Sequence, residues 1–440
     1  MRLPTFVLSA MERLEQNGYE CYLVGGCVRD LLLHKAPNDW DICTIADPET
    51  VCRIFDDVTC VKTGIAHGTI TVIWEQIPLE ITTYRTEGVY SDNRHPDRVD
   101  FVRSIEEDLN RRDFTVNAIA YHPKRGLLDF HGGIDDLNQS VLRCVGNAEK
   151  RFTEDALRIL RGLRFASCYG FAIEEQTAAA MKTCMPLLKC VSAERVKAEW
   201  DRLLCGKDVE KVLQTFPEAV FEIIPEMRQM LCFEQHNPHH RFTVWDHTLY
   251  AVSHCEPTLV VRLALLLHDI AKPACFTTDD DGIGHFYAHA TKGANIAKTV
   301  LDRLRYDRKT AERVYLLVKY HDMVIPKEKK VLRRWLFKYG EEFLRQLLAV
   351  RDGDSRALAL DLVQDRLKDQ EDIRRLLDEI LEEDSCFSLK QLAINGNDVK
   401  ALGFTGEAIG ETLQWALEQV MNEQLSNERE ILLSAIRKNT

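Results

Sequence analysis

The chain has 440 residues, of which 45% are hydrophobic and 29% charged, and a formal net charge of −12. This composition suits several water-facing globular domains and excludes a fibrous, disordered or membrane-embedded protein. It also excludes a surface coated in positive potential, so any contact with nucleic acid must come from local basic patches.

Fourteen cysteines without a C-x-x-C pair argue against a zinc ribbon or a disulfide framework and fit a reducing, cytoplasmic setting. Residues 1–20 read as an amphipathic helix rather than a signal peptide. Four apolar strands follow, "CYLVGG", "WDICTI", "GTITVIW" and "PLEITTY", separated by polar turns. A polar stretch from Thr86 to Asn110 is long enough for a functional loop, and "DFHGGIDDL" is a glycine turn. Beyond about residue 140 the strands stop and helical periodicity takes over, broken by 276–290, which reads as a small hairpin. The apolar run "VVRLALLLHDIA" is interrupted by Arg262 and His268 and falls short of the ~18 residues of a membrane span. Strands followed by helices predict an α+β fold with segregated layers: a mixed or antiparallel sheet with helices, then an all-α body.

Asp39 and Asp41, at i and i+2, share one face of a strand, where their charges repel. Glu80, on a neighbouring strand, adds a third carboxylate. Such oxygen ligands suit Mg²⁺ together with substrate phosphates. Two such ions activate an attacking hydroxyl and stabilise a leaving pyrophosphate. Gly25 and Gly26 let the backbone approach a phosphate at a helix N-terminus, with Arg29 one turn further in.

The spacing predicts a helix over 153–166, with Thr153 as its N-cap and with Asp155, Arg158, Arg161 and Arg164 at steps of three. A carboxylate accepts and a guanidinium donates. Cytosine and adenine both present an amino donor beside a ring-nitrogen acceptor, whereas uracil and guanine reverse that order. An Asp–Arg pair can therefore select C and A without a template.

The set "GGCVRD", "DWD", "RRDFTVNAIA", "DFHGGIDDL" and "EDALRILRGLRFA" resembles the class II tRNA nucleotidyltransferases and bacterial poly(A) polymerases of the polymerase-β superfamily, in the family's order over about the first 170 residues. The resemblance implies that Asp39 and Asp41 hold the catalytic Mg²⁺, and that Gly26 and Arg29 meet the triphosphate. It puts Arg111, Arg112, Asp113 and Asn117 around the ribose and phosphates, and Asp155 and Arg158 on the base. Arg161 and Arg164 then face phosphate or steady Asp155, and Glu154 is structural. It also implies that residues 84–98, with Arg85, Gly88, Asp92 and Arg94, form a flexible loop that reshapes the pocket between C and A addition.

A third set, His247, His268, Asp269, His289, His321 and Asp354, spreads over successive helices, as bundle-core metal sites do. The order H…HD…H…H…D resembles the HD phosphohydrolase domain and implies a second divalent metal, with His285 an alternative to His289 and Asp352 to Asp354. Basic stretches at 301–314 and 325–340, and turns at Gly396, Gly403 and Gly406, are candidate RNA contacts.

The expected organisation is a nucleotidyltransferase head (1–140), a neck or RNA-binding helical domain (141–235), an HD domain (236–360) and a helical tail (361–440). The expected function is template-independent addition of CCA to the tRNA 3′ end from CTP and ATP, with no membrane partner. The alternatives are an A-adding enzyme, a poly(A) polymerase, or an HD phosphohydrolase whose head only binds nucleotide or RNA.

Overall fold

The computed structural model describes residues 1–87, 99–382, 388–422 and 424–438. The chain divides into two compact units, 1–225 and 226–440.

In the first unit, helix α1 (Thr5–Gln16) buries Val7, Ala10, Met11 and Leu14, a stripe spaced three and four residues apart. The stripe shares a core with the inner faces of a seven-stranded sheet. Its strands are β1 (Cys21–Val24), β2 (Asp41–Thr44), β3 (Thr59–Val61), β4 (Thr69–Trp74), β5 (Ile77–Thr83), β8 (Ile119–His122) and β9 (Gly126–Asp129). They lie in the order β3-β4-β5-β2-β1-β8-β9. All pairs are antiparallel except β2 and β5, whose parallel register sets Asp41 beside Glu80. A separate ribbon pairs β6 (Arg85–Glu87) with β7 (Val99–Phe101). Gly88, Asp92, Arg94 and the rest of 88–98 lie outside the described residues.

Short helices α2 (Gly26–Leu32), α3 (Pro48–Ile54), α4 (Ile105–Asn110) and α5 (Gly133–Asn138) connect the strands. Helical packing then takes over with α6 (Ala148–Glu154), α7 (Leu157–Tyr169), α8 (Glu175–Cys184), α9 (Ala193–Leu204), α10 (Val209–Thr215) and α11 (Pro217–Ile223). Strands do not stop entirely at 140, because β10 (Val141–Leu142) and β11 (Ala172–Ile173) form a short parallel pair.

The predicted helix over 153–166 is two helices. Asn147, not Thr153, caps the first, accepting from the Lys150 N–H at 2.8 Å. Thr153 lies inside α6 and donates to the Glu149 carbonyl. The break comes at Asp155, which is extended and whose carboxylate accepts from the Leu157 N–H at 3.1 Å. A side chain that bonds its own backbone two residues on competes with the helix.

The second unit is helical: α12 (Val244–Ser253), α13 (Leu259–Leu267), α14 (Lys272–Cys275), α15 (His289–Arg303), α16 (Arg308–Tyr320), α17 (Lys329–Tyr339), α18 (Glu341–Arg356), α19 (Leu360–Glu382), α20 (Gly396–Ala401), α21 (Glu407–Met421) and α22 (Arg429–Lys438). The predicted hairpin forms from β12 (Thr277–Thr278) and β13 (Gly284–His285). From Val261 to Leu267, α13 is buried all round. Gly353 lets α18 cross close to α12 and α13: a Cβ there would sit 2.6 Å from Leu265 Cδ1 and 3.0 Å from the Ala251 carbonyl. That crossing carries Asp354, its side chain a quarter exposed, against the buried His247 and His268. No described helix is long and apolar enough to cross a membrane.

Candidate functional site

In the first unit, the sequence-predicted residues line one cleft of about 550 Å³, with Glu80 just outside its lining. Gly25 turns the chain from β1 into α2 with φ +74°, and a Cβ there would fall 2.8 Å from Arg112 Nη1 and 3.7 Å from Asp41 Oδ2. Asp39 is exposed just before β2, and Asp41 opens the strand half-buried. Burial raises the Asp41 carboxyl to about 6, with Arg112 opposing and Asp39 and Glu80 adding to the rise. Three hard-oxygen groups crowded so that one resists ionisation fit a divalent cation.

The cations behind them are held in place. Asp108, fully buried, accepts from Arg111 Nε at 3.0 Å and from Arg112 Nη2 at 3.3 Å. Arg29 donates to Asp30, to the Asn117 side-chain oxygen at 2.7 Å and to the Tyr169 hydroxyl at 2.9 Å. Asp113 accepts from the Phe114 N–H, the Asn117 amide and Arg161 Nε at 2.8 Å. Burial pushes the Asp113 carboxyl up, but the Arg161 guanidinium and the Asn117 amide outweigh it and hold it well below the usual range.

The arginine row is partnered differently from the simple helix face its spacing suggests. Arg158 donates to Glu154 at 2.8 Å and to the Arg151 and Arg111 carbonyls. Arg164 pairs with Glu199 at 2.5 Å. Asp155 is clasped by Arg195, from Nη1 at 3.2 Å and Nη2 at 2.8 Å. Asp108, Tyr169, Arg195 and Glu199 are site residues that sequence reasoning missed. The i, i+4 pair Arg195 and Glu199 on one face of α9 is the signal that was there to be found.

In the second unit, all six predicted His/Asp residues converge. His247 Nε2 is 2.9 Å and His268 Nε2 3.6 Å from Asp354 Oδ1. His268 Nε2 is 3.1 Å from Asp269 Oδ2, while His289 and His321 approach Asp269 Oδ1 at 3.5 and 3.9 Å. Each imidazole has its Nδ1 against a backbone carbonyl: Ala357 for His247, Leu265 for His268, Phe286 for His289 and Val318 for His321. A carbonyl only accepts, so each Nδ1 carries a proton, and the four Nε2 atoms face two carboxylates. Neither Asp269 oxygen makes a well-aligned hydrogen bond, although Lys272 Nζ lies 2.7 Å from Oδ2. Burial pushes the His268 imidazolium down, yet Asp269 and Asp354 outweigh it and lift it to about 10. A cluster that recruits a proton so strongly fits a divalent metal.

The alternatives lie elsewhere. His285 bonds Asp279 at 2.8 Å on the hairpin, and Asp352 pairs with Arg374. Gln235, which bonds Lys272, and His240, whose ring is 5.4 Å from His247, are additions the sequence did not suggest. The basic stretches are partly neutralised, Lys327 by Asp369 and Asp372, Lys329 by Glu379 and Arg303 by Glu226. Near Gly396, Asn395 and Asp398 form a capping box, so helix capping accounts for that turn.

The poly(A) polymerase head domain family matches residues 21–143. A probable RNA- and SrmB-binding site of polymerase A matches 170–230, and a putative tRNA nucleotidyltransferase domain 2 matches 276–436. A CCA-adding enzyme of Streptococcus sanguinis is 45% identical over 235 residues, 52% of this chain and 58% of its own. One of Enterococcus faecalis is 46% identical over 220 residues, 50% of this chain and 54% of its own. A Bacillus stearothermophilus CCA-adding enzyme in complex with CTP matches over 100% of this chain and 98% of its own, with 28% identity and a TM-score of 0.73. Three segments of the chain thus match families of polymerase A and tRNA nucleotidyltransferase, and about half of it is similar in sequence to CCA-adding enzymes.

A Thermotoga maritima CCA-adding enzyme, in complex with a tRNA, shares the fold of this chain at 20% identity, with a TM-score of 0.60 over 100% of this chain and 96% of its own. The sequence matches span little more than half the length of the curated relatives. Asp155, Arg158, Arg161 and Arg164 fall between the matched head and the next matched segment. The head family implies a divalent metal.

Proposed function

We propose that the protein adds C, C and A to the 3′ end of tRNA from CTP and ATP, without a template and with release of pyrophosphate. The observation that carries this reading is the single cleft in which Asp39 and Asp41 face an arginine-rich neck helix. Asp39 and Asp41, with Glu80 beside them, would hold Mg²⁺, which lowers the pKa of the attacking tRNA hydroxyl and stabilises the leaving oxygen. Gly25 and Gly26 bring backbone N–H groups to the triphosphate, and Arg29, Arg111 and Arg112 balance its charge. Asp113 and Asn117 orient the ribose and brace the arginines. Asp155 accepts from the amino group that C and A share, and Arg158 donates to their ring acceptor. Arg161 and Arg164 shape the phosphate side. Head, neck, HD and tail segments then divide at about 140, 235 and 360, and the reaction belongs in the cytoplasm, where the cysteines stay reduced.

Incubating the protein with a tRNA lacking its three terminal nucleotides, with each nucleoside triphosphate singly and in mixture, tests this. Sequenced products ending in CCA support the reading. Addition only to a tRNA already ending in CC makes it an A-adding enzyme, and long A tails make it a poly(A) polymerase.

A second reading concerns the second unit alone and rests on the four Nε2 atoms that face Asp269 and Asp354. It is a metal-dependent phosphohydrolase acting on phosphate esters at RNA ends. Release of phosphate that depends on an added divalent metal and is lost in Asp269→Ala tests it.

A further inference from the structure

We propose that Tyr287, stacked on His285 at the mouth of the His/Asp cavity, seats a nucleobase, so that this site prefers nucleoside phosphates to other phosphate esters. The inference rests on the phosphohydrolase reading and names its specificity element. Tyr287 is 72% exposed, and a single exposed aromatic is ordinary on a protein surface. This one is part of a built platform. Its ring lies 14° from parallel with His285, the centroids 5.5 Å apart. His285 is itself fixed by Asp279 at 2.8 Å, and Asp279 also accepts from the Ile283 N–H that closes the hairpin.

The platform and the metal-binding groups are walls of the same cavity, about 660 Å³, which Tyr287 and His285 share with Asp269, His289, Lys319 and Arg366. That volume suits one small ligand. Tyr287 is two residues before His289, so their backbones lie within about 7 Å of each other. Ala288 between them adopts φ +63°, turning the chain from the platform into α15. Aromatic faces accept any base, whereas Lys319 and Arg366 supply charge for the phosphate. One cavity thus joins an aromatic seat for a base, cations for a phosphate and the His/Asp cluster. In the reaction a water oxygen bonds to phosphorus, the ester P–O bond breaks, and the water's proton ends on the departing ribose oxygen.

The test uses the full chain and photoactivated 8-azidoadenosine 3′-monophosphate, with labelled peptides mapped by mass spectrometry. Label on the peptide holding Tyr287, competed by adenosine 3′-monophosphate but not by equal ribose 5-phosphate, supports the seat. Label confined to the first unit, or equal competition by the base-free ester, overturns it. In kinetics, Tyr287→Ala is expected to raise KM for the nucleotide roughly tenfold and leave that for glycerol phosphate unchanged, with Tyr287→Phe restoring the wild-type value. Equal losses on both substrates, or no rescue by phenylalanine, also overturn it. Metal content of the wild type and of Asp269→Ala is measured separately. A body that binds no metal defeats the phosphohydrolase reading, while the crosslinking result still decides whether a base sits on Tyr287.

Discussion

The Arg195 guanidinium grips the Asp155 carboxylate through two hydrogen bonds, at 3.2 and 2.8 Å, although the two residues lie forty positions apart. Asp155 is the acceptor assigned to the base, so Arg195 fixes where that acceptor points. Arg158, the assigned donor, is fixed independently by Glu154. The two halves of the reading pair are therefore positioned by different neighbours and are expected to fail separately.

Replacing Asp155 with Ala removes the acceptor and costs about 1–3 kcal/mol of discrimination, roughly tenfold to a hundredfold. Single-turnover incorporation of UTP and GTP relative to CTP is expected to rise accordingly. Arg195→Ala, which leaves the carboxylate present but loosened, is expected to give a smaller loss of selectivity. Wild-type selectivity in Asp155→Ala would remove this residue from base reading.

Asp39→Ala and Asp41→Ala are each expected to abolish nucleotide addition while the fold and tRNA affinity persist, because each deletes a proposed ligand of the catalytic cation. Circular dichroism and a tRNA-binding assay provide the controls. Near-normal incorporation by either purified variant would refute the assignment.

Asp113 gives a pH signature. Its folded carboxyl is held below the unfolded value of about 3.9, so its contribution is complete above that pH and is lost as pH falls towards the folded value. Asp113→Asn is expected to lower stability at pH 7 by about 3 kcal/mol, since Arg161 loses its buried partner. The gap between the two melting temperatures should close as pH drops below about 4. A constant gap from pH 7 to pH 3 would contradict this account.

Deleting residues 88–94 is expected to spare C addition and block the final A. Because β6 ends at Glu87, this deletion keeps the β6–β7 ribbon, whereas one beginning at Thr86 would cut into it. Products sequenced from a tRNA lacking its three terminal nucleotides should end in CC. Intact CCA ends in the deletion variant would show that the segment does not control the switch.

His268→Ala or Asp269→Ala is expected to remove one bound divalent metal, read by elemental analysis, and any metal-dependent phosphatase activity, with nucleotide addition retained. Severe loss of addition in a folded variant would argue against two independent sites.

Four of the seven strands of the head sheet, Asp41 on β2 and the helical body were legible in the residues, because period-two and near-four-residue patterns are local and report which face is buried; Asp39, expected on the same strand face, lies in the bend before β2. The glycine turn and the six His and Asp residues that converge in the second unit were legible too, since each needs particular side chains at particular chain positions. What the tertiary structure decided was partnership. Asp155 broke the predicted helix by bonding to its own backbone and then met Arg195 from another helix. His289 rather than His285, and Asp354 rather than Asp352, entered the His/Asp cluster because the packing of α13, α15, α16 and α18 aims those side chains inward. Contacts between residues forty or a hundred positions apart depend on how helices cross, as at Gly353, and no local periodicity encodes a crossing.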